Sequence, residues 1–430
     1  MLFQEKTGRW RVPTAFPRQR VGTRNKPVMS WIPDRFWEVI YLNIYTLLLK
    51  EIFKMIRELY INNFKSLLNF RVELSKFVCI IGMNGAGKST LLQAIDFITQ
   101  IFKGDLKTWL QAREWQSQDL LSDRSSPSHK IFEVKLQFES TRYTCYGEFN
   151  LNKLTCTKEK IINETSGDIL FEVVNRSYRI GNHAKKSIEF KYQGSALSAL
   201  FEDALTPELL QIRSFLIAVK SFELLNPQLM RKPSRQSDNE LGLGGNKLSA
   251  FLHSISNRKK DELNRFIKEV FSTTFESIET ITTLSDHKRL FIEEKLANNR
   301  CMKTEASHIS DGLLRIMAIL SQTMTTHTML VFDEIENGIN PEWVEALVDL
   351  LVESPKQIIV TTHSPMVLNY LEDEQAKKSV IFIYKDKEGM TQQCRFFSIA
   401  GVEKKLDILG PGEAMVDVNL SELAEELNHD

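Results

Sequence analysis

A glycine-rich stretch that ends in a lysine and a serine is the strongest chemical signal in the sequence. Residues 82–89, Gly-Met-Asn-Gly-Ala-Gly-Lys-Ser, fit the pattern G-x-x-x-x-G-K-[ST] at every fixed position. Such glycines leave backbone N–H groups free to surround phosphates at the positive end of a helix. The lysine reaches the β- and γ-phosphates, and the serine hydroxyl is a ligand for Mg²⁺. The stretch therefore predicts a nucleotide site formed by Asn84, Gly85, Ala86, Gly87, Lys88, Ser89 and Thr90.

The segments on either side have the periodicities that a phosphate-binding loop needs. The run "FVCII" (77–81) is apolar and β-branched, as in a buried strand. Upstream, residues 55–74 alternate apolar and polar types in two short runs, which predicts a hairpin or meander. Downstream, apolar residues recur at helical spacing at Leu91, Ile95, Ile98 and Phe102. This strand–loop–helix context favours a P-loop over a ligand-free glycine turn.

An acidic pair follows a second apolar run. Met329–Phe332 predicts a buried strand, and Asp333 and Glu334 stand at its carboxyl end, where open α/β sheets bind their ligands. We expect Asp333 to hold Mg²⁺ through water and Glu334 to act as the general base toward the attacking water. The alternative is a surface turn after a core strand. Asn340 and Pro341 predict the start of the next helix.

A third apolar run, "KQIIVTTHSPM" (356–366), predicts a strand that leads to His363. A lone histidine is more often structural than catalytic. Here it follows a buried strand, downstream of a P-loop and an acidic pair, so we expect His363 to sense the γ-phosphate.

Ser310 precedes an amphipathic helix. Its hydroxyl and the first free N–H groups of that helix would form an anion site. The alternative is an ordinary helix cap, since serine and aspartate both favour that position. The apolar face of the predicted helix consists of Leu313, Ile316, Met317, Leu320 and Met324.

Composition limits the classes of function. The formal net charge is zero, yet residues 1–54 hold 10 Lys and Arg against 4 Asp and Glu. The main body therefore has no overall basic footprint of the kind that many nucleic-acid binders show.

The five cysteines are scattered without a C-x-x-C pair, which favours a reducing, cytoplasmic compartment over zinc or disulfides. The apolar stretch 37–49 is too short to span a bilayer, so no membrane contact is expected.

The interval between residues 100 and 300 has no sustained heptads. Strands are predicted at 131–139, 141–151 and 187–192, and helices at 195–225 and 246–275. Between these helices lies a Pro/Gly/Ser-rich loop. A basic patch there could contact DNA phosphates, although a solvated face is the commoner explanation; its members are Arg231, Lys232, Arg235, Arg258, Lys259 and Lys260.

The P-loop, the Asp-Glu strand and the strand-ending histidine, in this order, resemble the ABC-type ATPases. The segments "LYINNFKSL", "GMNGAGKST", "SDGLLR", "DEIENGINP" and "TTHSP" resemble the RecF/SMC/OLD-like branch of that group. The resemblance is good over residues 55–100 and 305–430 and loose between them. It implies an α/β fold of the ABC-ATPase type: a mixed sheet core, an antiparallel β lobe and a helical insertion at about 195–290.

The resemblance also implies a homodimer with ATP and Mg²⁺ at its interface. Each ATP would lie between the P-loop of one subunit and the signature motif, Leu-Ser-Gly-Gly-Gln, of the other. That motif falls on residues 309–313, where Ser310 and Gly312 match and Asp311 replaces a glycine. The orientation of Asp311 stays open, and so does the glutamine loop, with Gln111, Gln116, Gln118 and Gln137 as candidates.

The resemblance suggests an ATP-hydrolysing switch in DNA repair or anti-phage defence. Residues 364–430 contain no Asp-x-Asp pair, so we expect any nuclease to be a separate effector protein. The alternative functions are the nucleotide-binding subunit of an ABC transporter and a non-catalytic scaffold. Residues 1–54 are interpreted as a basic extension or a misassigned start, with the ATPase head at 55–430.

Overall fold

The computed structural model describes residues 54–122, 129–223, 225–235, 240–296 and 299–429. All of them fall within one unit of the chain, Lys50–Asp430. The predicted basic extension lies outside the described residues, apart from Lys54. Within the described residues, no helix combines the length and the apolar character needed to cross a membrane.

The described strands are numbered in chain order. They are β1 Lys54–Asn62, β2 Phe70–Glu73, β3 Phe77–Ile81, β4 His129–Phe138, β5 Thr141–Asn150, β6 Thr155–Asn163, β7 Ile169–Val174, β8 Ser177–Ile180, β9 Lys186–Ser187, β10 Val219–Phe222, β11 Phe275–Thr282, β12 Lys288–Lys295, β13 Cys301–Glu305, β14 Met329–Phe332, β15 Gln357–Thr361, β16 Val380–Lys385 and β17 Thr391–Arg395.

The described α-helices are numbered in the same way. They are α1 Lys88–Lys103, α2 Leu106–Ala112, α3 Pro207–Ile217, α4 Pro227–Met230, α5 Leu248–Ser254, α6 Asn257–Phe266, α7 Asp311–Thr323, α8 Pro341–Glu353, α9 Pro365–Asn369, α10 Asp373–Ser379, α11 Ala400–Leu406, α12 Pro411–Val416 and α13 Leu420–Leu427. Short 3₁₀ turns occupy Ser117–Leu120, Ala196–Ala199, Glu202–Ala204, Leu243–Gly245, Ala306–His308 and Phe396–Ser398, and a π-helical turn occupies Ile267–Phe271.

A six-stranded sheet forms the centre of the fold, in the order β10-β14-β15-β3-β16-β17. Its first five strands run parallel and β17 pairs antiparallel to β16. The predicted strands before the P-loop, before the acidic pair and before His363 are β3, β14 and β15, which lie side by side. The mixed sheet core is therefore confirmed.

Both faces of this sheet are buried, as parallel strands require. In β3, Val78 and Ile80 join the apolar cluster that contains α1 and the inner face of the antiparallel lobe. Their neighbours Phe77, Cys79 and Ile81 join the cluster formed with the helices of the opposite face. This alternation follows from the two-residue period of a strand.

The antiparallel lobe is an eight-stranded sheet in the order β2-β1-β4-β5-β6-β7-β8-β9. The predicted hairpin is confirmed, because β1 pairs antiparallel with β2 and Tyr60 lies opposite Arg71. A separate three-stranded sheet, β11-β12-β13, lies within the second half of the chain.

The interval between residues 100 and 300 departs from several predictions. The predicted helix over 195–225 is wrong at both ends. Two 3₁₀ turns precede α3, and α3 is followed by β10, an edge strand parallel to β14. The predicted strand at 187–192 is wrong beyond Ser187, the last residue of β9. The predicted helix over 246–275 is divided at Ile255, because the Ser256 hydroxyl caps α6 by accepting the Lys259 N–H. Pairing with the distant strand β14 decided the first case.

One buried side chain joins the central sheet to the antiparallel lobe. The Gln357 side chain, 2% exposed, stands at the start of β15. Its Oε1 accepts the Ile56 N–H at 2.9 Å, and its Nε2 donates to the carbonyls of Ile56 at 2.8 Å and Ser75 at 3.0 Å. One glutamine thus satisfies three backbone groups of the lobe.

Replacing Gln357 by Leu should lower the free energy of unfolding by about 2–4 kcal/mol, because it leaves these buried backbone groups without partners. Urea unfolding followed by circular dichroism would measure the change. Gln211→Leu, at an exposed position of α3, is the matched control and should unfold close to wild type. Equal unfolding midpoints for the two variants would contradict this role.

Candidate functional site

Three parallel strands bring the predicted site residues together. Strand β15 lies between β14 and β3, with Phe332 opposite Val360 and Thr361 opposite Ile80. The carboxyl ends of the three strands therefore meet at one edge of the sheet, where α/β folds place their ligands. The P-loop follows β3, Asp333 and Glu334 follow β14, and His363 follows β15.

The P-loop is packed tightly against a remote element. Gly87 caps α1 with a φ of 115°, a backbone conformation that favours glycine. A Cβ at this position would lie 2.2 Å from Thr391 Oγ1, so only glycine fits. The Thr391 hydroxyl donates to the Ala86 carbonyl at 3.0 Å and also contacts the Ser66 hydroxyl at 2.8 Å. Strand β17 and the loop after β1 thus hold the P-loop from one side.

The Lys88 ammonium lies against its own loop. The residue is 6% exposed, and its Nζ donates to the carbonyls of Gly82 at 3.0 Å and Met83 at 3.2 Å. Burial lowers the pKa of Lys88, while the negative charges of Asp333, Glu334 and Glu336 oppose that shift. The ammonium is therefore held next to the acidic end of β14, in the place where a P-loop lysine meets phosphates.

Ser89 and Asp333 form the donor set expected for a divalent cation. The Ser89 hydroxyl donates to Asp333 Oδ2 at 3.0 Å, although the residues are 244 positions apart. A hydroxyl and a carboxylate are the oxygen ligands that Mg²⁺ takes beside phosphates. These residues fit the implied Mg²⁺.

Thr361 connects the two acidic residues. Its Oγ1 accepts the Glu334 N–H at 2.8 Å and donates its proton to Asp333 Oδ1. Glu334 has a φ of 48°, in the left-handed region that non-glycine residues rarely adopt. Asn337 Nδ2 donates to Glu334 Oε2 at 2.9 Å. Thr361 of β15 therefore holds the backbone of the candidate base, and Asn337 of the loop after β14 holds its carboxylate.

A third carboxylate, Glu336, reaches the predicted histidine. Its Oε1 accepts the backbone N–H of His363 at 2.9 Å. Its Oε2 is buried without a hydrogen-bond partner among the described residues. The His363 side chain is exposed. Glu336 thus ties the loop after β15 to the loop after β14.

The predicted signature segment lies at the start of α7. Ser310 is the helix cap, and its Oγ accepts the Leu313 N–H at 3.4 Å. Gly312 is buried, and a Cβ there would lie 2.8 Å from the Gly338 carbonyl oxygen. The loop after the acidic pair therefore packs on the signature segment of the same chain, and this contact explains the glycine at 312. Ser310 and Asp311 are exposed.

Asp311, which replaces the expected glycine, is paired with an arginine. Arg231 Nη2 donates to Asp311 Oδ1 at 2.6 Å and to the Ile309 carbonyl at 2.7 Å. The predicted basic patch is thereby divided, since Arg231 faces the signature segment while Arg258 pairs with Glu262 on its own helix.

Several functional contacts were missed by the sequence analysis. The bridging role of Thr361 could have been inferred from a hydroxyl at a strand end beside the acidic pair. The contact of Thr391 with the P-loop carried no local signal, because 305 positions separate it from Ala86. Among the glutamine candidates, Gln137 hydrogen bonds within its own β4–β5 hairpin, through Thr141 and Arg142.

A family model described as "AAA domain, putative AbiEii toxin, Type IV TA system" matches residues 77–369. The chain is also 32% identical over 108 residues to an OLD nuclease of Thermus scotoductus. This match covers 24% of the chain and only 18% of the length of that nuclease.

Two solved structures are similar to this chain in shape. The SMC head domain from Thermotoga maritima has a TM-score of 0.41 and 16% identity, over 79% of this chain and 98% of that chain. The Smc head domain from Pyrococcus furiosus, with an extended coiled coil and bound to the C-terminal domain of ScpA, has a TM-score of 0.48 and 15% identity. This match covers 82% of this chain and 100% of the Pyrococcus furiosus chain.

Thr361→Val should lower the rate of ATP hydrolysis about 10- to 100-fold, because the Glu334 N–H and the Asp333 carboxylate both lose the Thr361 hydroxyl. Steady-state release of phosphate would measure the rate, and a fluorescent ATP analogue would measure nucleotide affinity separately. Thr361→Ser keeps the hydroxyl and should retain most activity. If the valine and serine variants hydrolyse ATP equally well, the bridge has no role in turnover.

Proposed function

The chain belongs to the AAA domain family and to the ABC-type ATPases of the RecF/SMC/OLD-like branch, and from this premise we propose that it hydrolyses ATP as a dimeric switch. The observation that carries the proposal is the shared carboxylate of Asp333, which accepts hydrogen bonds from Ser89 of the P-loop and Thr361 of β15. Hydroxyl, carboxylate and lysine then surround one position at the end of the central sheet.

The P-loop binds the phosphates of ATP through its backbone N–H groups, from Asn84 to Thr90. Lys88 exchanges the carbonyls of Gly82 and Met83 for the β- and γ-phosphates, whose negative charge compensates the partly buried ammonium better than carbonyl dipoles do. Ser89 and, through water, Asp333 would hold Mg²⁺, which would supply charge neutralisation at the phosphates.

Glu334 positions the attacking water and accepts its proton as the water oxygen bonds to the γ-phosphorus. The bond from the γ-phosphorus to the oxygen that joins it to the β-phosphate breaks, and ADP leaves. The hydrogen bonds from Asn337 to its carboxylate and from its own N–H to Thr361 support this role, since both restrict where the carboxylate can lie. His363 contacts the γ-phosphate with its exposed side chain, and Glu336 holds the backbone from which it projects.

The exposed signature segment supports a homodimer. Ser310 and the N-terminal N–H groups of α7 form an anion site at the surface, which binds the γ-phosphate of ATP held by a second copy of the chain. Two such sites would bind two ATP molecules between the subunits. Hydrolysis would remove the γ-phosphate and release the subunits.

The names of similar proteins support a role in which this chain acts together with a separate effector protein. The matching family is described as a toxin of a toxin–antitoxin system, and the curated relative is a nuclease. We propose that ATP-driven association of this chain controls such an effector in anti-phage defence or DNA repair, with DNA contact through the remaining basic residues Lys232, Arg235, Lys259 and Lys260.

Lys88→Ala should abolish nucleotide binding, because the phosphates lose their principal charged partner. Titration with a fluorescent ATP analogue would measure the affinity. Lys153→Ala, at an exposed position in the β5–β6 turn, is the matched control and should bind like wild type. Unchanged affinity of the Lys88 variant would refute the P-loop assignment.

Glu334→Gln should bind ATP, fail to hydrolyse it and accumulate as a dimer, because loss of the base leaves the sandwich intact. Size-exclusion chromatography with light scattering would give the mass with and without ATP and Mg²⁺. Adding Lys88→Ala to this variant should return it to the monomer. A Glu334→Gln protein that stays monomeric at saturating ATP would count against the dimeric switch.

A further inference from the structure

The arginine that pairs with Asp311 has hydrogen-bond donors to spare. A guanidinium carries five N–H donors, and the two on Nη2 of Arg231 serve Asp311 Oδ1 and the Ile309 carbonyl. Its Nε and Nη1 have no partner in the part of the chain that the structure describes. The side chain is 24% exposed, so these donors can reach a ligand at the surface beside the N-terminus of α7.

The backbone that presents Arg231 is held in place. Arg231 follows the short helix α4, and its N–H donates to the Pro227 carbonyl at 3.0 Å. Asn226 caps that helix by accepting the Gln228 N–H at 2.9 Å, and its own N–H donates to Gly244 at 2.9 Å. Met230 is fully buried. The guanidinium is thus preorganised, which favours ligand binding because little side-chain freedom remains to be lost.

A second arginine lies at the same helix end. Arg315 is 7% exposed, and its Nε is buried without a partner among the described residues. A Cβ on Gly338 would lie 3.7 Å from Arg315 Nε and 3.8 Å from Asp311 Cβ, so both side chains contact the same glycine. Burial lowers the pKa of Arg315, while the charges of Asp311 and Glu334 oppose that shift. A buried guanidinium N–H without a partner among the described residues favours an anion that completes the site.

The local charges agree with that conclusion. Asp311 alone would place a negative charge at the positive end of α7 and repel phosphate. Arg231 and Arg315 balance the charges of Asp311 and Glu334, and the helix terminus adds a partial positive charge. The negative charge of Asp311 is therefore compensated, and free N–H donors of Arg231 remain for an anion at the start of α7.

We propose that Arg231 is a trans-acting phosphate ligand: oriented by Asp311 and the Ile309 carbonyl, its free donors bind the γ-phosphate of ATP held by a second copy of this chain. Asp311 is then a positioning residue for Arg231 and does not face the phosphate itself. Arginine suits this role because its planar fork matches phosphate oxygens. This inference rests on the proposed ATP-sandwich dimer.

Subunit mixing tests it. Arg231→Ala keeps its own P-loop but cannot serve its partner, while Lys88→Ala has lost its P-loop but retains Arg231. Each variant alone should hydrolyse ATP at least about tenfold more slowly than wild type. Mixed in equal amounts, they should recover a substantial part of the wild-type rate, because the mixed dimer contains one complete site.

Controls and further measurements accompany the mixing experiment. Ser310→Arg, which obstructs the signature segment, should be rescued by Lys88→Ala in the same way. Arg265→Ala, at an exposed position of α6, is the matched arginine control and should hydrolyse ATP like wild type. In the Glu334→Gln background, Arg231→Ala should weaken the ATP-dependent dimer about 10- to 100-fold. Binding of a fluorescent ATP analogue to its own P-loop should stay unchanged, which also reports that the variant is folded.

The outcomes separate the two proposals. If Ser310→Arg is rescued and Arg231→Ala is not, or if Arg231→Ala alone matches wild type, the trans role of Arg231 is wrong and the dimer stands. If neither is rescued and Glu334→Gln remains a monomer with ATP, the dimeric switch itself is wrong. Should Arg231→Ala lose nucleotide binding, Arg231→Lys replaces it in the same mixtures, and failure of rescue overturns the inference.

Discussion

The site depends on one carboxylate that three segments of the chain share. Asp333 directly follows β14. It accepts hydrogen bonds from Ser89 at the start of α1 and from Thr361 at the end of β15. The two hydroxyl donors replace hydrogen bonds that the carboxylate would otherwise make with water. The same Thr361 hydroxyl accepts the N–H of Glu334, so the proposed metal ligand and the proposed base are both held by β15.

The P-loop is confined on its other side by residues that have no phosphate chemistry. Thr391 contacts the Ala86 carbonyl and fills the space that any side chain at 87 would need. Ser66 links Thr391 to the loop that follows β1 of the antiparallel lobe. The phosphate-binding backbone therefore lies between the central sheet and the lobe, and its shape is set before any ligand arrives, which lowers the entropic cost of binding.

The loop that carries Glu334 also packs on the signature segment. The Gly338 carbonyl leaves no room for a side chain at position 312, and Arg315 lies beside Gly338, where it experiences the charges of Asp311 and Glu334. In the proposed dimer, phosphate bound in trans at the start of α7 would act on the loop of the general base in the same subunit. This contact offers a physical route by which occupancy of one ATP site could influence the other.

The sequence by itself determined the elements whose signals are local: the P-loop, the strands that lead to Asp333 and His363, and the Ser310 cap. Fixed spacing, apolar runs and cap chemistry act within a few residues, so they can be read without a fold. Only the tertiary structure decided that β10 is a strand of the central sheet, that Thr361 joins the acidic pair, and that Arg231 pairs with Asp311. Those features arise from strand pairing and contacts across tens to hundreds of positions, for which no local pattern exists.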